Sequence, residues 1–432
     1  MSANEPATSE LTMLRHYLRI AFAVYRRRKL FTFVSLFGTC FTLVVLMVAA
    51  AAIDAELGAY PPEVRGDRTL SVSRVMLTRS DDPHTRRGIA GAGYLLADRY
   101  LRHLQTPERI AVYTRWAEDV MTYLNGDQVR LRLRRLDGAC WEVLQCEFLE
   151  GRPFSAQEDA EGASLAVISQ ATRDRLFGSA AALGRTFRLG GRQYQVIGVV
   201  RTVSDARAVV ADVWVPLGTV AKPQQGPAGL VDDLTVLLQA RSPVDFPAIR
   251  QELAMTLAQV DLSDAAPYDR LVAWADTPLD ALAASVASSS DLTGDEARFR
   301  LLLLLCSGAL LFMLLPALNL VNLNISRILE RGSEIGVRRA FGAPRHSLVW
   351  QFLVENLVLI LAGSVMGGLL SVLVLHAFSW WGWAYFAEFH FNLRVFLCGL
   401  AVTLVFGLLS GAYPAWRMAR LHPVAALRGE RR

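Results

Sequence analysis

The apolar residues of this chain collect into four blocks separated by stretches of mixed polarity. Phe31 to Ile53 runs for about 23 residues without a charge, enough at ~1.5 Å per residue to cross a ~30 Å hydrocarbon core. Three further blocks, Leu301–Ile325, Ser347–Phe378 and Leu393–Ala415, lie near the other end. Each block is predicted to be a membrane-spanning helix. A cleaved signal peptide is the alternative for the first, because Arg26, Arg27, Arg28 and Lys29 precede it and Ala50 to Ala52 resemble a cleavage site. Secretory apolar cores run to only about 7–15 residues, so the block is too long for that reading.

Between the first two blocks the pattern mixes the helical and the extended period, which predicts an α+β domain with its own core or two. Gln128 to Leu136 alternates, Asp137-Gly138 is a tight-turn signal, and Trp141, Val143 and Leu144 resume an extended pattern, so this stretch is predicted as a hairpin. A second hairpin is expected from Thr186–Leu189, Gly190-Gly191 and Gln193–Val200. A strand at Leu165–Ile168, a cap at Ser169, a helix at Ala171–Phe177 and a stop at Gly178 lie between them. Val213–Leu217 is expected to be another strand, Lys222–Gly229 a loop and Ala248–Val260 a helix. Arg130, Arg132 and Arg134 alternate with Val129, Leu131 and Leu133, as on one solvated strand face.

Charge sets the orientation. Short basic loops resist translocation while long domains cross regardless of charge. Arg26 to Lys29 precede the first block; Arg327, Arg331, Arg338, Arg339 and Arg345 fill the second loop; Arg417, Arg420, Arg428, Arg431 and Arg432 follow the last block. Both termini are therefore expected in the cytoplasm of a bacterial inner-membrane protein. The expected organisation is a cytoplasmic amphipathic segment (1–29), a first span (30–53), a periplasmic α+β domain of two subdomains (54–300) and a second span (301–325). A cytoplasmic loop (326–346), a third span (347–378), a short periplasmic loop (379–392), a fourth span (393–415) and a cytoplasmic tail (416–432) follow. Trp380, Trp381 and Trp383 suit an interfacial belt in the short outer loop, and the basic stretch from Leu11 to Lys29 suits an elbow helix lying on the membrane lipid. The net charge of +5 is thus accounted for by topology, with no nucleic-acid partner implied.

No reaction centre is legible. His84 and His103 are isolated, and the chain has no H-E-x-x-H, C-x-x-C or G-x-S-x-G pattern, so no cofactor, metal or catalytic residue is predicted. Cys140 and Cys146, about 20 Å apart if the segment is extended, are not expected to pair.

The apolar blocks contain a few exceptions to their apolarity. Asn319 and Asn322, beyond Pro316, share one helix face, as interhelical hydrogen-bonding groups at a moving interface or as static glue. Glu355 is the lone carboxylate within a predicted span, placed for coupling or for reaching back to the interface. Gly363 with Gly367, and Gly407 with Gly411, have the G-x-x-x-G spacing that lets helices approach closely. In the cytoplasmic loop Ser333 can cap a helix, Glu334 sits at its positive end, Arg338 and Arg339 toward its negative end, and Gly342 and Pro344 stop it. Val337, Ala340 and Phe341 form its apolar face, fit either for a membrane surface or for a partner's groove.

The stretch EIGVRRAFGAPRHSLVWQFLVENLVLILAGSVMGGLLS (Glu334 to Ser371), with YPAWRMARLHPVAALRGE (Tyr413 to Glu430), resembles the FtsX-like permease family, in particular its MacB type. GRPFSAQEDAEGASLAVISQATRDRLFGSAAALGRTFRLGGRQYQVIGVV (Gly151 to Val200) is similar to the MacB-type periplasmic core domain. The resemblance implies an ABC transporter permease that forms a homodimer, or a heterodimer with a related permease, bound to a cytoplasmic ATPase. It implies that Glu334, Arg338, Arg339, Phe341 and Gly342 form the ATPase-coupling helix, and that ATP-driven closure is relayed to the periplasmic domain. MacB itself carries its ATPase on the same chain, whereas here the lysines are Lys29 and Lys222 alone and neither stands in the G-K-[ST] of a Walker A loop. The ATPase is therefore expected on a partner chain, and the permease to be non-catalytic. Export, with a periplasmic adaptor and an outer-membrane channel as further partners, is one expected output. Control of cell-wall hydrolases, lipoprotein extraction and a non-transport sensor or scaffold are the alternatives.

Overall fold

A computed structural model of the chain describes residues 29–58, 61–81, 86–124, 127–178, 180–202, 209–219, 226–287, 294–330, 337, 341, 345–380 and 392–419. They divide into an α+β unit, Asp54–Leu302, and a helical unit drawn from the residues before and after it. The described strands are β1 (Thr69–Thr78), β2 (Arg86–Ala92), β3 (Arg109–Thr114), β4 (Glu118–Leu124), β5 (Asp127–Leu136), β6 (Phe148–Gly151) and β7 (Leu165–Ser169). After them come β8 (Thr186–Leu189), β9 (Arg192–Val200), β10 (Val213–Pro216), β11 (Val231–Asp232), β12 (Leu234–Gln239) and β13 (Arg270–Asp276). The helices are α1 (Lys29–Leu57), α2 (Tyr94–Arg99), α3 (Cys140–Val143), α4 (Ala156–Ala160), α5 (Gln170–Phe177) and α6 (Pro227–Leu230). They continue as α7 (Phe246–Leu257), α8 (Pro278–Ala287), α9 (Gly294–Glu330), α10 (Arg345–Trp380) and α11 (Leu393–Ala419).

All described strands join one network in the order β11-β2-β1-β12-β3-β5-β10-β7-β9-β6, with β13 on β1, β4 on β5 and β8 on β9. Alternation along each strand sends successive side chains to opposite faces, so one network serves three apolar clusters. On β12, Val236 and Leu238 enter a cluster with Leu70, Val72 and the α7 residues Ile249 and Leu253, whereas Leu237 turns to the cluster of Tyr113, Phe154 and Trp214. On β10, Trp214 joins that second cluster while Val213 and Val215 join Leu131, Ile168 and Val196 in a third. The unit is thus one continuous sheet network rather than two separately sheeted halves.

Local signals decide most boundaries. Ser169 caps α5 by accepting from the Thr172 N–H at 3.1 Å, and Gly178 ends it at φ 59°. β8 and β9 form the expected hairpin, Leu189 facing Arg192 across Gly190 and Gly191, whose φ values of 57° and 84° suit glycine. The other expected hairpin is wrong. β5 pairs along its length with β4, Leu124 opposite Asp127, and the Asn125-Gly126 dipeptide between them is the hairpin signal that sequence reading passed over. The segment after Asp137 forms helix α3 instead of a strand, because the buried Asp137 carboxylate accepts from the Cys140 N–H at 3.0 Å and turns the chain. Arg134 is only 4% exposed, so the arginine stripe is solvated at Arg130 and covered at its far end, where β5 lies between β3 and β10. The expected loop at 222–229 contains the start of α6.

In the helical unit, 32–54 of α1 and 353–378 of α10 are each long and apolar enough to cross a membrane. α9 exposes Leu303, Leu304, Leu310, Leu311 and Leu318, and α11 exposes Leu393, Leu397, Val405 and Leu409.

Candidate functional site

In the helical unit α10 presents a buried stripe of small and polar residues: Glu355, Asn356, Gly363, Ser364, Gly367 and Ser371. A Cβ added at Gly363 would come within 3.0 Å of the Thr39 Cβ on α1, and one at Gly367 within 3.1 Å of the Cys40 carbonyl oxygen. α1 and α10 therefore meet at near-backbone contact, a geometry that small residues permit where lipid leaves little hydrophobic drive for helix association. Two hydroxyls on these helices bond their own turns, Thr39 to the Ser35 carbonyl at 3.0 Å and Ser371 to that of Gly367 at 2.7 Å, whereas the buried Ser35 and Ser364 hydroxyls have no hydrogen-bond partner among the described residues. Glu355 is 3% exposed.

Asn319 and Asn322 fall within α9, and Gly407 and Gly411 within α11. Gly399 was missed, although an added Cβ there would meet Leu46 at 2.9 Å and Leu43 at 3.1 Å. Its signal was the small-x-x-x-small spacing to Thr403, whose hydroxyl donates to the Gly399 carbonyl at 2.7 Å. Of the predicted coupling helix, Glu334, Arg338, Arg339 and Gly342 lie outside the described residues. Phe341 is 88% exposed, and its N–H donates to the Val337 carbonyl at 3.1 Å, a helical i to i−4 bond.

In the α+β unit buried aspartates organise the framework, among them Asp137, Asp276 and Asp280. Asp137, 1% exposed, accepts from the Val112 and Cys140 N–H groups at 3.0 Å each and pairs with Arg102 at 3.0 Å. Burial pushes its carboxyl above the ordinary range, against the pull of Arg102 and the Val112 N–H. Asp276 ends β13 and takes a bidentate pair from Arg74 on β1, at 2.7 and 3.0 Å, with the guanidinium 4.9 Å over the Trp274 ring.

Asp280, 1% exposed in the first turn of α8, makes the densest set of contacts. Thr277 and Asp280 cap the helix reciprocally: the Thr277 hydroxyl donates to the carboxylate at 2.8 Å, and the Asp280 N–H donates to that hydroxyl at 3.2 Å. Arg250 of α7 donates to one carboxylate oxygen at 3.0 Å, and Arg298 of α9 donates to the other at 2.9 and 2.5 Å. Burial pushes this carboxyl up, but the Arg298 and Thr277 hydrogen bonds outweigh it and hold the group below the ordinary carboxylate range. Sequence reading missed this site. The Thr277-Pro278-Leu279-Asp280 run before an apolar helix was its signal.

Cys140 and Cys146 are not poised for chemistry. Burial pushes the Cys140 thiol well up and the Cys146 thiol to about 12, and both are free, although their segment is helical rather than extended. Among the described residues no group of three or more His, Cys, Asp and Glu could hold a metal ion.

Long apolar helices with glycine-lined contacts, in one chain with an α+β domain that has its own core, are the make-up of a membrane protein with a large folded domain. The model of the MacB-like periplasmic core domain matches residues 32–255, and that of the FtsX-like permease C-terminal region matches 307–423. The chain belongs to the FtsX-like permeases that carry a MacB-like periplasmic core domain, a MacB/FtsX type of ABC transporter permease. It is 25% identical over 295 residues to the macrolide export ATP-binding/permease protein MacB of Pasteurella multocida, an alignment covering 68% of this chain and 42% of that one. It is 29% identical over 292 residues to the MacB of Burkholderia pseudomallei, covering 66% and 41%. It is 25% identical over 284 residues to the uncharacterized ABC transporter permease YknZ of Bacillus subtilis, covering 65% of each. The chain thus spans about two fifths of the length of these MacB relatives. Among solved structures, the periplasmic region of MacB from Actinobacillus actinomycetemcomitans aligns at TM-score 0.36 and 14% identity, covering 52% of this chain and 97% of that one. The extracellular domain of YknZ aligns at TM-score 0.34 and 15% identity, covering 47% and 99%.

Proposed function

We propose that this chain is the four-span membrane subunit of an ABC export complex, dimeric and driven by an ATPase on a separate polypeptide. The observation that carries the reading is the order of the two family matches along one chain, a periplasmic core domain after the first long helix and then the permease region. Exposed leucines on α9 and α11 support membrane insertion of these helices beside α1 and α10, since a helix exposing apolar side chains in a soluble protein would aggregate. The exposed Phe341, in a loop whose arginines suit a cytoplasmic location, supports a helix presented to the ATPase. Both termini lie in the cytoplasm on this reading, and substrate is moved by the periplasmic domain rather than between the helices. Glu355, Asn319 and Asn322 then serve helix coupling, and the glycine contacts allow the helices to slide.

Affinity purification in mild detergent tests the reading. An ATPase is expected to co-purify with the wild-type chain, and Arg338→Glu with Arg339→Glu is expected to abolish the association. An ATPase that stays bound and active in the double variant would remove the coupling-helix assignment. No co-purifying ATPase would remove the proposed complex with a separate ATPase and favour the sensor or scaffold alternative.

A further inference from the structure

We infer that Asp280 is the positioning residue through which displacement of α9 is passed to the sheet of the periplasmic domain. The inference rests on the permease reading and names the residue that carries the force within this domain. α9 is one continuous helix of 37 residues; its first residues, to Leu302, belong to the α+β unit and the rest to the helical unit. The apolar contact at this start is small: Ala283, Ala297 and Leu301 are its buried members, with Leu279 and Leu282 against them. Two alanines and a leucine hold a helix weakly and without direction. The directional bond is Arg298 on Asp280, at 2.5 and 2.9 Å.

From Asp280 the chemistry leads two ways. One is Arg250 on α7, which also donates to the Ala275 carbonyl at 3.0 Å. The other runs through the Thr277 cap to Asp276 and its bidentate Arg74 on β1, the strand to which β2, β12 and β13 all pair. By the second route Arg298, Asp280, Asp276 and Arg74, with one turn, join the start of α9 to β1, an interior strand of the sheet. Asp280 is enclosed but Arg298 and Arg250 each keep more than a third of their side chains in solvent, so desolvation and screening offset the attraction and the pairs add little stability. They are a good way to fix one orientation between two helices. A cleft of about 730 Å³ beside the pair, lined by Arg250, Trp274, Asp276, Asp280 and Arg298, leaves space for the joint to move.

The test uses the full chain with its co-purified ATPase in lipid nanodiscs, and reads amide hydrogen exchange with and without ATP plus vanadate. In the wild type, nucleotide is expected to change exchange by about fivefold or more both at 294–302 and at 277–287, the lower end of ordinary coupling. In Arg298→Ala the change at 294–302 is expected to persist and that at 277–287 to disappear, while ATP hydrolysis continues. Arg298→Lys, which keeps a cation facing Asp280, is expected to restore the second response. If Arg298→Ala loses exchange protection across β3 and β12, and so fails to fold, Arg298→Gln takes its place with the same expectation. An undiminished response at 277–287 in the folded uncharged variant overturns the joint and leaves the permease reading standing. A wild type that responds at neither segment overturns both.

Discussion

The two units of this protein are held together by opposite means. The α+β unit buries Trp, Tyr, Phe and branched aliphatic side chains in three clusters and pins its corners with enclosed aspartates. The helical unit sets Gly363 and Gly367 against α1 at near-backbone distance and Gly399 against the tips of Leu43 and Leu46, and the Thr39, Ser371 and Thr403 hydroxyls bond within their own turns. The difference follows from the solvent. In water, removal of apolar area from solvent dominates, and large side chains contribute most. In lipid that gain between helices is absent, and close approach takes its place.

The largest effect expected from breaking this contrast is at Trp214, which is 2% exposed, donates to the Val209 carbonyl at 3.1 Å and stacks edge-on with Trp141. Trp214→Ala is expected to destabilise the periplasmic domain by about 3–5 kcal/mol. Denaturant unfolding of the detergent-solubilised chain should show the loss, with the helical signal of the membrane part retained. Next is Asp137→Ala, which takes the carboxylate acceptor from the Val112 N–H, leaves the Cys140 N–H only the backbone carbonyl of residue 137 at 3.1 Å, and leaves Arg102 only Asp98 at 3.7 Å. Arg102 keeps a third of its side chain in solvent, so the expected cost is about 2–3 kcal/mol rather than that of a fully enclosed pair. Thermal unfolding of the same preparation checks it.

The third prediction concerns the helical unit. Gly367→Leu must push against the Cys40 carbonyl and Leu43, and is expected to weaken the α1–α10 contact by about 1–3 kcal/mol. Detergent denaturation followed by helix separation should detect it, with Trp214 fluorescence in the periplasmic domain unchanged. A Gly367→Leu variant that unfolds both units together would break the contrast. The smallest effect is at Glu158, whose carboxyl the Arg152 hydrogen bonds lower to about 2, assisted by the Ser155 cap. A carboxyl depressed in the folded state stabilises above its unfolded value, near 4.5, and loses that contribution as pH falls toward 2. Glu158→Gln should therefore cost under about 1 kcal/mol at pH 7, because Arg152 is mostly exposed and solvent screens the pair. Unfolding midpoints of variant and wild type should converge between pH 4.5 and 2.

The long apolar helices at 32–54 and 353–378 were legible because about twenty uncharged residues in a row have few other uses. The sequence showed the β8–β9 hairpin because Gly190-Gly191 leaves no doubt about a turn. It misassigned the partner of β5 because Asp137-Gly138 and Asn125-Gly126 are rival signals of the same kind, and only tertiary contacts to Asp137 decide between them. Arg134 was read as solvated because alternation reports which face a side chain takes, not what covers that face. The Asp280 cluster joins residues from three helices that are distant in sequence, so only its Thr277 cap was legible in advance. Gly363 and Gly367 were found by spacing, whereas Gly399 needed the rule relaxed to include threonine.

The account depends on the α+β domain standing on the opposite side of the membrane from the loop that contains Phe341. In a background lacking the five native cysteines, Trp116→Cys and Phe341→Cys can each be challenged with a membrane-impermeant maleimide in intact spheroplasts. Both positions are well exposed, at 67% and 88%, so accessibility depends on the side of the membrane. Labelling at 116 before lysis and at 341 only after it is the predicted result. Labelling of both positions before lysis, or of neither, would contradict the account.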